Sequence, residues 1–227
     1  LFFDLVKELD KSAGIERFRI SSIEPNLLTD EIIEFVAQSR VFVPHFHIPL
    51  QSGSDKILKL MRRRYTRDLY KARIEKIKTV MPHCCIGVDV IVGFPGESES
   101  DFMETYDFIN ELDVSYLHVF TYSERANTLA VELEGKVDMS VRRNRNERLR
   151  ILSEKKRAHF YQQFEGDIRP VLFEHSKEAN SMSGYTDNYI KVSLPLQEYL
   201  INQIEEVKIG KFLGGESTNA TLAAVLV

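Results

Sequence analysis

The stretch CCIGVDVIVGF (84–94) is an almost unbroken apolar run, closed by Pro95-Gly96. A strand that carries Val, Ile and Cys on both faces is expected to be buried on both faces. That burial is found in parallel sheets covered by helices. Three further strand-like runs surround it: RFRISSI (17–23), a run over 45–50 and SYLHVFTY (115–122). With this strand at 84–93, strand starts fall near 17, 45, 85 and 115, spaced by 28, 40 and 30 residues. Helical periodicity fills the gaps. It marks residues 1–12, a segment opened by Thr29-Asp30-Glu31, a helix from about 54, another over 67–80, and Ser98 to Asp113. This strand, helix, strand rhythm is the βαβ signature. A complete (β/α) barrel needs eight strands and about 250 residues. Four strands fit before residue 125, so the expectation is a small open sheet or the back part of a barrel.

The character changes after residue 138. Residues 139–164 form one long helical pattern, and 142–157 hold eight Arg or Lys against two Glu. From 166 to 227, DIRPVLFEHS, GYTDNYIKVSL and NQIEEVKIGKFL alternate like strands between Gly and Asn turns. That size and pattern predict a separate small β-barrel. The expected organisation is therefore 1–138, a basic connecting helix over 139–165, and a barrel over 166–227.

Composition narrows the function classes. Thirty basic against 34 acidic residues give a net charge of −4, which excludes a globally basic nucleic-acid binder but not a local basic face. No apolar stretch approaches the ~18 residues of a membrane helix, so no membrane partner is expected. Two adjacent cysteines, Cys84 and Cys85, cannot build a disulfide framework and suit a reducing, cytoplasmic setting. Their side chains point to opposite faces of a strand, so they are expected to pack rather than share a metal. His45 and His47 share a strand face without a carboxylate or Cys at ligand spacing, and no metal site is expected there. No strand is followed by a dinucleotide or phosphate-binding glycine motif.

In parallel α/β sheets, ligands bind at the carboxyl ends of the strands. Here those ends read Ser21-Ser22-Ile23-Glu24, Gln51-Ser52-Gly53-Ser54, Gly93-Phe94-Pro95-Gly96-Glu97 and Tyr122-Ser123-Glu124-Arg125. All are polar or glycine-rich. Glu24 offers acceptors for ribose hydroxyls, Gln51 both donates and accepts, and Arg62-Arg63-Arg64 offers a clamp for a carboxylate or phosphate. The bland alternatives are a strand-to-helix turn at 93–97 and a solvated helix end at the arginines. The acidic helix 97–113 and the basic helix 142–157 read most simply as solvated faces, although the second would suit an RNA backbone.

RISSIEP, HIPLQSGSDKILKLMRRRYT, DVIVGFPGE with DFMET, and HVFTYSERANTLA occur in this order. Together they resemble the radical SAM methylthiotransferases, the MiaB, RimO and MtaB group. GYTDNYIKV resembles the start of their TRAM domain, a small RNA-binding β-barrel. The wording is closest to the branch acting on N6-threonylcarbamoyladenosine next to the tRNA anticodon. The fold so implied is α/β, the C-terminal part of a radical SAM partial barrel of TIM type, followed by an all-β TRAM barrel. The resemblance implies S-adenosylmethionine as cofactor and two 4Fe–4S clusters in the full-length protein, with tRNA anticodon stem-loop as partner. Cofactor contacts are expected at Ser22, Glu24, Gln51, Ser52, Arg62, Arg64, Gly93 and Phe94. RNA contacts are expected at Arg142, Arg143, Arg145, Lys155, Lys156, Tyr185 and Asn188. The family's Cys-x-x-x-Cys-x-x-Cys is absent from these residues, and cluster ligation requires such thiolates. The chain is therefore expected to be a fragment that alone binds no cluster and is inactive. Competing expectations are a methylthiotransferase acting on a ribosomal protein, a stand-alone RNA-binding module, and a radical SAM enzyme acting on porphyrin precursors.

Overall fold

The computed structural model describes residues 1–176, 180–212 and 222–226. Its first part is a parallel sheet in the order β1 (Phe18–Ile20), β2 (Phe42–His47), β3 (Cys85–Val92) and β4 (Tyr116–Thr121). The helices are α1 (Phe2–Asp10), α2 (Asp30–Gln38), α3 (Asp55–Leu60), α4 (Arg67–Val80), α5 (Glu99–Glu111) and the long α6 (Met139–Gln162). The caps are local. Thr29 and Thr66 accept from Ile32 N and Leu69 N, while Ser98 and Asp101 close a reciprocal capping box on α5.

Register explains the sheet's two faces. One face carries Ile86, Val88, Val90 and Val92 of β3 with Phe46 and Leu117, packed against Ile33 of α2, Ile74 of α4, Phe102 and Ile109 of α5 and Leu149 of α6. The other carries His45, His47, Gly87, Asp89, Tyr116 and His118. The expected burial on both faces therefore holds only for the first part of β3. From Asp89 onward its inner face opens, and Asp89 and Ile91 are half-buried. Polar side chains from the neighbouring strands make that face a lumen rather than a second apolar layer.

Two strands are displaced from expectation. β2 spans 42–47, earlier than 45–50, because the chain after His47 continues as extended backbone. Ile48 N and Leu50 N donate to Gly87 O and Asp89 O, and Gln51 bridges Val90. β1 is shorter than 17–23, although Ile23 N still reaches His47 O at 3.0 Å. The arginine block is not on α3. The helix ends at Leu60, and Arg62 takes the left-handed conformation (φ 56°) that turns the chain back.

The second part is a closed barrel, β5 (Ile168–His175), β6 (Ser181–Thr186), β7 (Lys191–Pro195), β9 (Leu222–Leu226) and β8 (Ile204–Phe212), in that spatial order. GYTDNYIKVSL is a hairpin rather than one strand. Tyr189 takes φ 64°, and Thr186 accepts from Ile190 N at 2.8 Å. Most of the sequence KFLGGESTNATLAAVLV before β9 lies outside the described residues. The barrel's core includes Phe173, Met182, Val192 and Val207 and is continuous with Phe160, Phe164, Cys85 and Tyr116. The barrel thus closes the lower end of the lumen.

Candidate functional site: a cleft at the carboxyl ends of the strands

A cleft of about 690 Å³ lies at the carboxyl ends of β3 and β4. That is the size range of small-molecule and cofactor sites, roughly 300–1,000 Å³. Arg62, Arg63, Ile91, Phe94, Phe120 and Tyr122 line it, with the 125–133 segment opposite. Its apolar walls are flat: Phe94 and Tyr122 meet edge to face at 5.2 Å. Arg63 Nη1 donates to Glu24 at 3.1 Å, so the first and second strand ends are tied across the rim. Two polar atoms of lining residues, Arg63 Nε and Tyr122 Oη, are buried and have no partner among the described residues; the same holds for Gln51 Oε1, beside β3 at the end of the extended segment after β2. Such groups cost free energy unless a ligand or water satisfies them. An adenosyl ligand with a charged amino-acid end fits this set of donors, acceptors and apolar walls.

The structure separates the sequence-predicted residues. Arg62 and Phe94 line the cleft, and Glu24 reaches it through Arg63. Gln51 takes a strained conformation (φ 68°), its backbone hydrogen-bonded to Asp89 O and Ile91 N. Ser22 is exposed beyond the end of β1. Ser52 is fully buried, and its hydroxyl pairs with Thr105 at 3.1 Å, which makes it a brace for the turn. Gly93 is likewise committed. Its N–H donates to Glu97 Oε2 at 2.6 Å, and a Cβ there would sit 2.3 Å from Arg142 Cγ. Arg64 is exposed and does not line the cleft; it lines a neighbouring shallow depression with Asp55 and Lys59, which Arg62 and Arg63 also border. Arg63, hidden in the middle of the block, is the arginine that both lines the cleft and pairs with Glu24. The sequence carries no signal to rank the three, because a left-handed turn at Arg62 decides their directions.

Below the rim, the inner face carries a polar triad and a floor. His47 Nε2 lies 2.8 Å from Asp89 Oδ1, and His118 Nδ1 lies 3.4 Å from the same oxygen. Burial works against ionisation of Asp89, but hydrogen bonds from His118 and His47 hold its carboxyl well below the usual range. The floor is Tyr116, which lies across Gly87 and meets His45 Nε2 at 3.1 Å. Burial pushes His45 down to about 3, so it is a neutral imidazole. Tyr189 from the barrel packs on His45 at 4.5 Å, and Arg19 lies over Tyr189. The two histidines thus have different roles: His45 packs, whereas His47 meets a carboxylate on the neighbouring strand, two residues beyond its register partner Gly87.

The residues predicted to meet RNA also divide. Arg142 and Arg145 are internal, each 4% exposed. Arg142 donates to Val137 O, Tyr122 O and Glu124; Arg145 pairs with Glu97 and Glu99. Glu97 and Asp101 are buried too, so neither the acidic nor the basic helix is simply a solvated face. Lys156 donates to Asn110 O and Leu112 O at the end of α5. Asn188 is fully buried and donates to His83 O at 3.1 Å. Those four brace the fold and are unavailable to an outside backbone. Arg143 and Lys155 are exposed. Tyr185 stacks on Tyr189 at 4.6 Å in a junction cavity of about 460 Å³, which Arg150, Arg157, Tyr161 and Lys191 also line. Arg157 lies 5.3 Å over the Tyr116 ring.

The cysteines do not suit a cluster. Both are buried, and burial raises the Cys85 thiol to about 12 and Cys84 further. A cluster ligand must be a thiolate.

Comparison with known proteins places this geometry. Residues 1–109 match the radical SAM superfamily. The chain is 45% identical over 215 residues to the threonylcarbamoyladenosine tRNA methylthiotransferase MtaB of Bacillus subtilis, covering 92% of this chain and 48% of that one. The Aquifex aeolicus protein of the same name is 39% identical, over 84% of this chain and 45% of its own. A tRNA-2-methylthio-N(6)-dimethylallyladenosine synthase from Desulfitobacterium hafniense is 34% identical, over 92% and 47%. The chain spans about half the length of these relatives. Among solved structures, the Escherichia coli coproporphyrinogen III oxidase HemN, a radical SAM enzyme, superposes with a TM-score of 0.54 at 10% identity, covering 86% of this chain and 55% of that one. That likeness is one of fold alone.

Proposed function

We propose that this chain is the portion of a radical SAM tRNA methylthiotransferase that holds S-adenosylmethionine and presents the tRNA, with N6-threonylcarbamoyladenosine next to the anticodon as the base acted upon. The observation that carries the reading is the rim cleft: buried, unsatisfied Arg63 Nε and Tyr122 Oη belong to the lining of a cofactor-sized space where a parallel sheet places ligands. The similarity to relatives named as tRNA methylthiotransferases, over most of the chain, supports reading that space as a site for S-adenosylmethionine. In this reading Arg62 and Arg63 meet the carboxylate of S-adenosylmethionine, a bidentate task suited to guanidinium. Glu24 orients Arg63 and lies within reach of the ribose side. Ile91, Phe94 and Phe120 flank the adenine and exclude water. When bound with a reduced cluster, S-adenosylmethionine supplies radical and methyl chemistry. The clusters are held by thiolates other than Cys84 and Cys85, and the chain alone is inactive. The exposed cations Arg143, Arg150 and Lys155, with the tyrosine-lined junction, face the RNA in a cytoplasmic setting.

A chimera tests this. This chain replaces the matching half of the Bacillus subtilis relative in a strain lacking its own enzyme, and tRNA nucleosides are measured by mass spectrometry. The expected result is a methylthio-bearing form of N6-threonylcarbamoyladenosine, lost in the Arg63→Ala chimera. A soluble chimera that leaves that nucleoside unchanged contradicts the reading.

A further inference from the structure

The lumen triad has no role in holding S-adenosylmethionine at the rim, yet its donor set is that of a metal centre. We propose that His47, Asp89 and His118 bind one divalent transition-metal ion of the zinc, cobalt or iron type, with its remaining coordination positions open to the lumen. The three ligand atoms lie within 4.8 Å of one another. They come from three adjacent parallel strands, which hold their Cβ atoms on one face. Asp89 and His118 are direct partners in the register, and His47 pairs with Gly87 one step below.

Two of the three separations, 2.8 and 3.4 Å, already bracket the about 3.3 Å between neighbouring ligands of a tetrahedral ion with ~2.0 Å bonds. The third, within 4.8 Å, would close by a rotation of His118, whose side chain is 51% exposed, whereas His47 is buried. Without an ion, each imidazole donates one proton to the carboxylate. With an ion bound, each neutral imidazole carries its proton on the other ring nitrogen, and the ion meets the same three atoms as lone-pair donors. Two neutral imidazoles and one carboxylate suit a borderline cation better than magnesium or calcium, which prefer all-oxygen sets. A carboxylate at Asp89 supplies the site's one negative charge. Tyr116 and His45 fill the space below the triad, and the ring of Tyr116 stands 5.2 Å from His118.

This inference does not depend on the proposed function, and its test reads the metal alone. The purified 227-residue chain is titrated with Co²⁺ and followed by visible absorption and calorimetry, beside Asp89→Asn and His118→Ala, each checked for folding by circular dichroism. The expected result is one Co²⁺ per chain, competed by Zn²⁺, with affinity reduced roughly tenfold or more in each variant. Absence of stoichiometric binding overturns the proposal. So does binding of equal affinity in both folded variants, which would place the ion on surface histidines.

Discussion

Single residues carry the strictest constraints in this molecule. Gly87 is small because Tyr116 occupies its Cβ position, at 2.4 Å. Gly87→Ala is expected to displace Tyr116 from His45 and cost about 1–3 kcal/mol, read from urea unfolding. Arg145 neutralises Glu97, whose side chain is 1% exposed and whose carboxyl is raised above its ordinary range by burial. Arg145→Met leaves that carboxyl without its cation and should cost about 3–5 kcal/mol. The pH response of Asp101 has the opposite sign to that of Glu97. Burial opposes its ionisation, but Lys56 and Ser98 bring it down to about 2 from 3.8. A lowered carboxyl pKa stabilises the fold above the unfolded value and loses that contribution as pH falls from about 4 toward 2. Asp101→Asn is therefore expected to lower stability at pH 7 and to flatten the acid limb of a stability–pH curve. An unchanged acid limb would remove Asp101 from this role.

At the scale of elements, the pattern of strands and helices was legible because it rests on periodicity. The 3.6-residue stripe of α5 and the apolar run of β3 mark buried faces directly. Their helix-facing side chains, such as Phe102 and Val88, are where that reading expects them. The arginine block was not legible in the same way. Helical periodicity continues through it, yet the chain turns at Arg62, and one left-handed residue sends Arg63 into the cleft and leaves Arg64 outside its lining. Likewise, charge alone marks Arg142 and Arg145 as surface residues, because their partners Glu124, Glu97 and Glu99 lie on other elements. The His47–Asp89–His118 triad crosses three strands, so no local spacing announces it. The turn permits a separation of roles. Arg62→Gly relieves an unfavourable left-handed residue and is expected to leave stability unchanged or raise it by up to about 1 kcal/mol. It should nonetheless weaken S-adenosylmethionine binding. A large loss of stability would show that the Arg62 side chain braces the fold instead.

At the scale of the whole molecule, the parallel sheet and the small barrel share a seam. Arg17 Nη1 and Nη2 donate to Tyr185 O and Pro170 O, Asn188 donates to His83 O, and Tyr189 packs on His45. This seam closes the lumen from below and leaves the rim open above. Tyr189→Ala is expected to uncouple the two parts, so that a single calorimetric transition becomes two; one undivided transition would argue against the seam. The central claim is that the rim cleft is built for S-adenosylmethionine and that Arg63 is its carboxylate anchor. Equilibrium dialysis of labelled S-adenosylmethionine against this chain tests it most directly, with Arg63→Ala and Arg64→Ala in parallel. The account predicts saturable binding that Arg63→Ala weakens at least roughly tenfold, as loss of a charge-assisted hydrogen-bonded pair requires. Arg64→Ala should leave it unchanged. Absence of saturable binding, or equal binding by the Arg63→Ala chain, would contradict it.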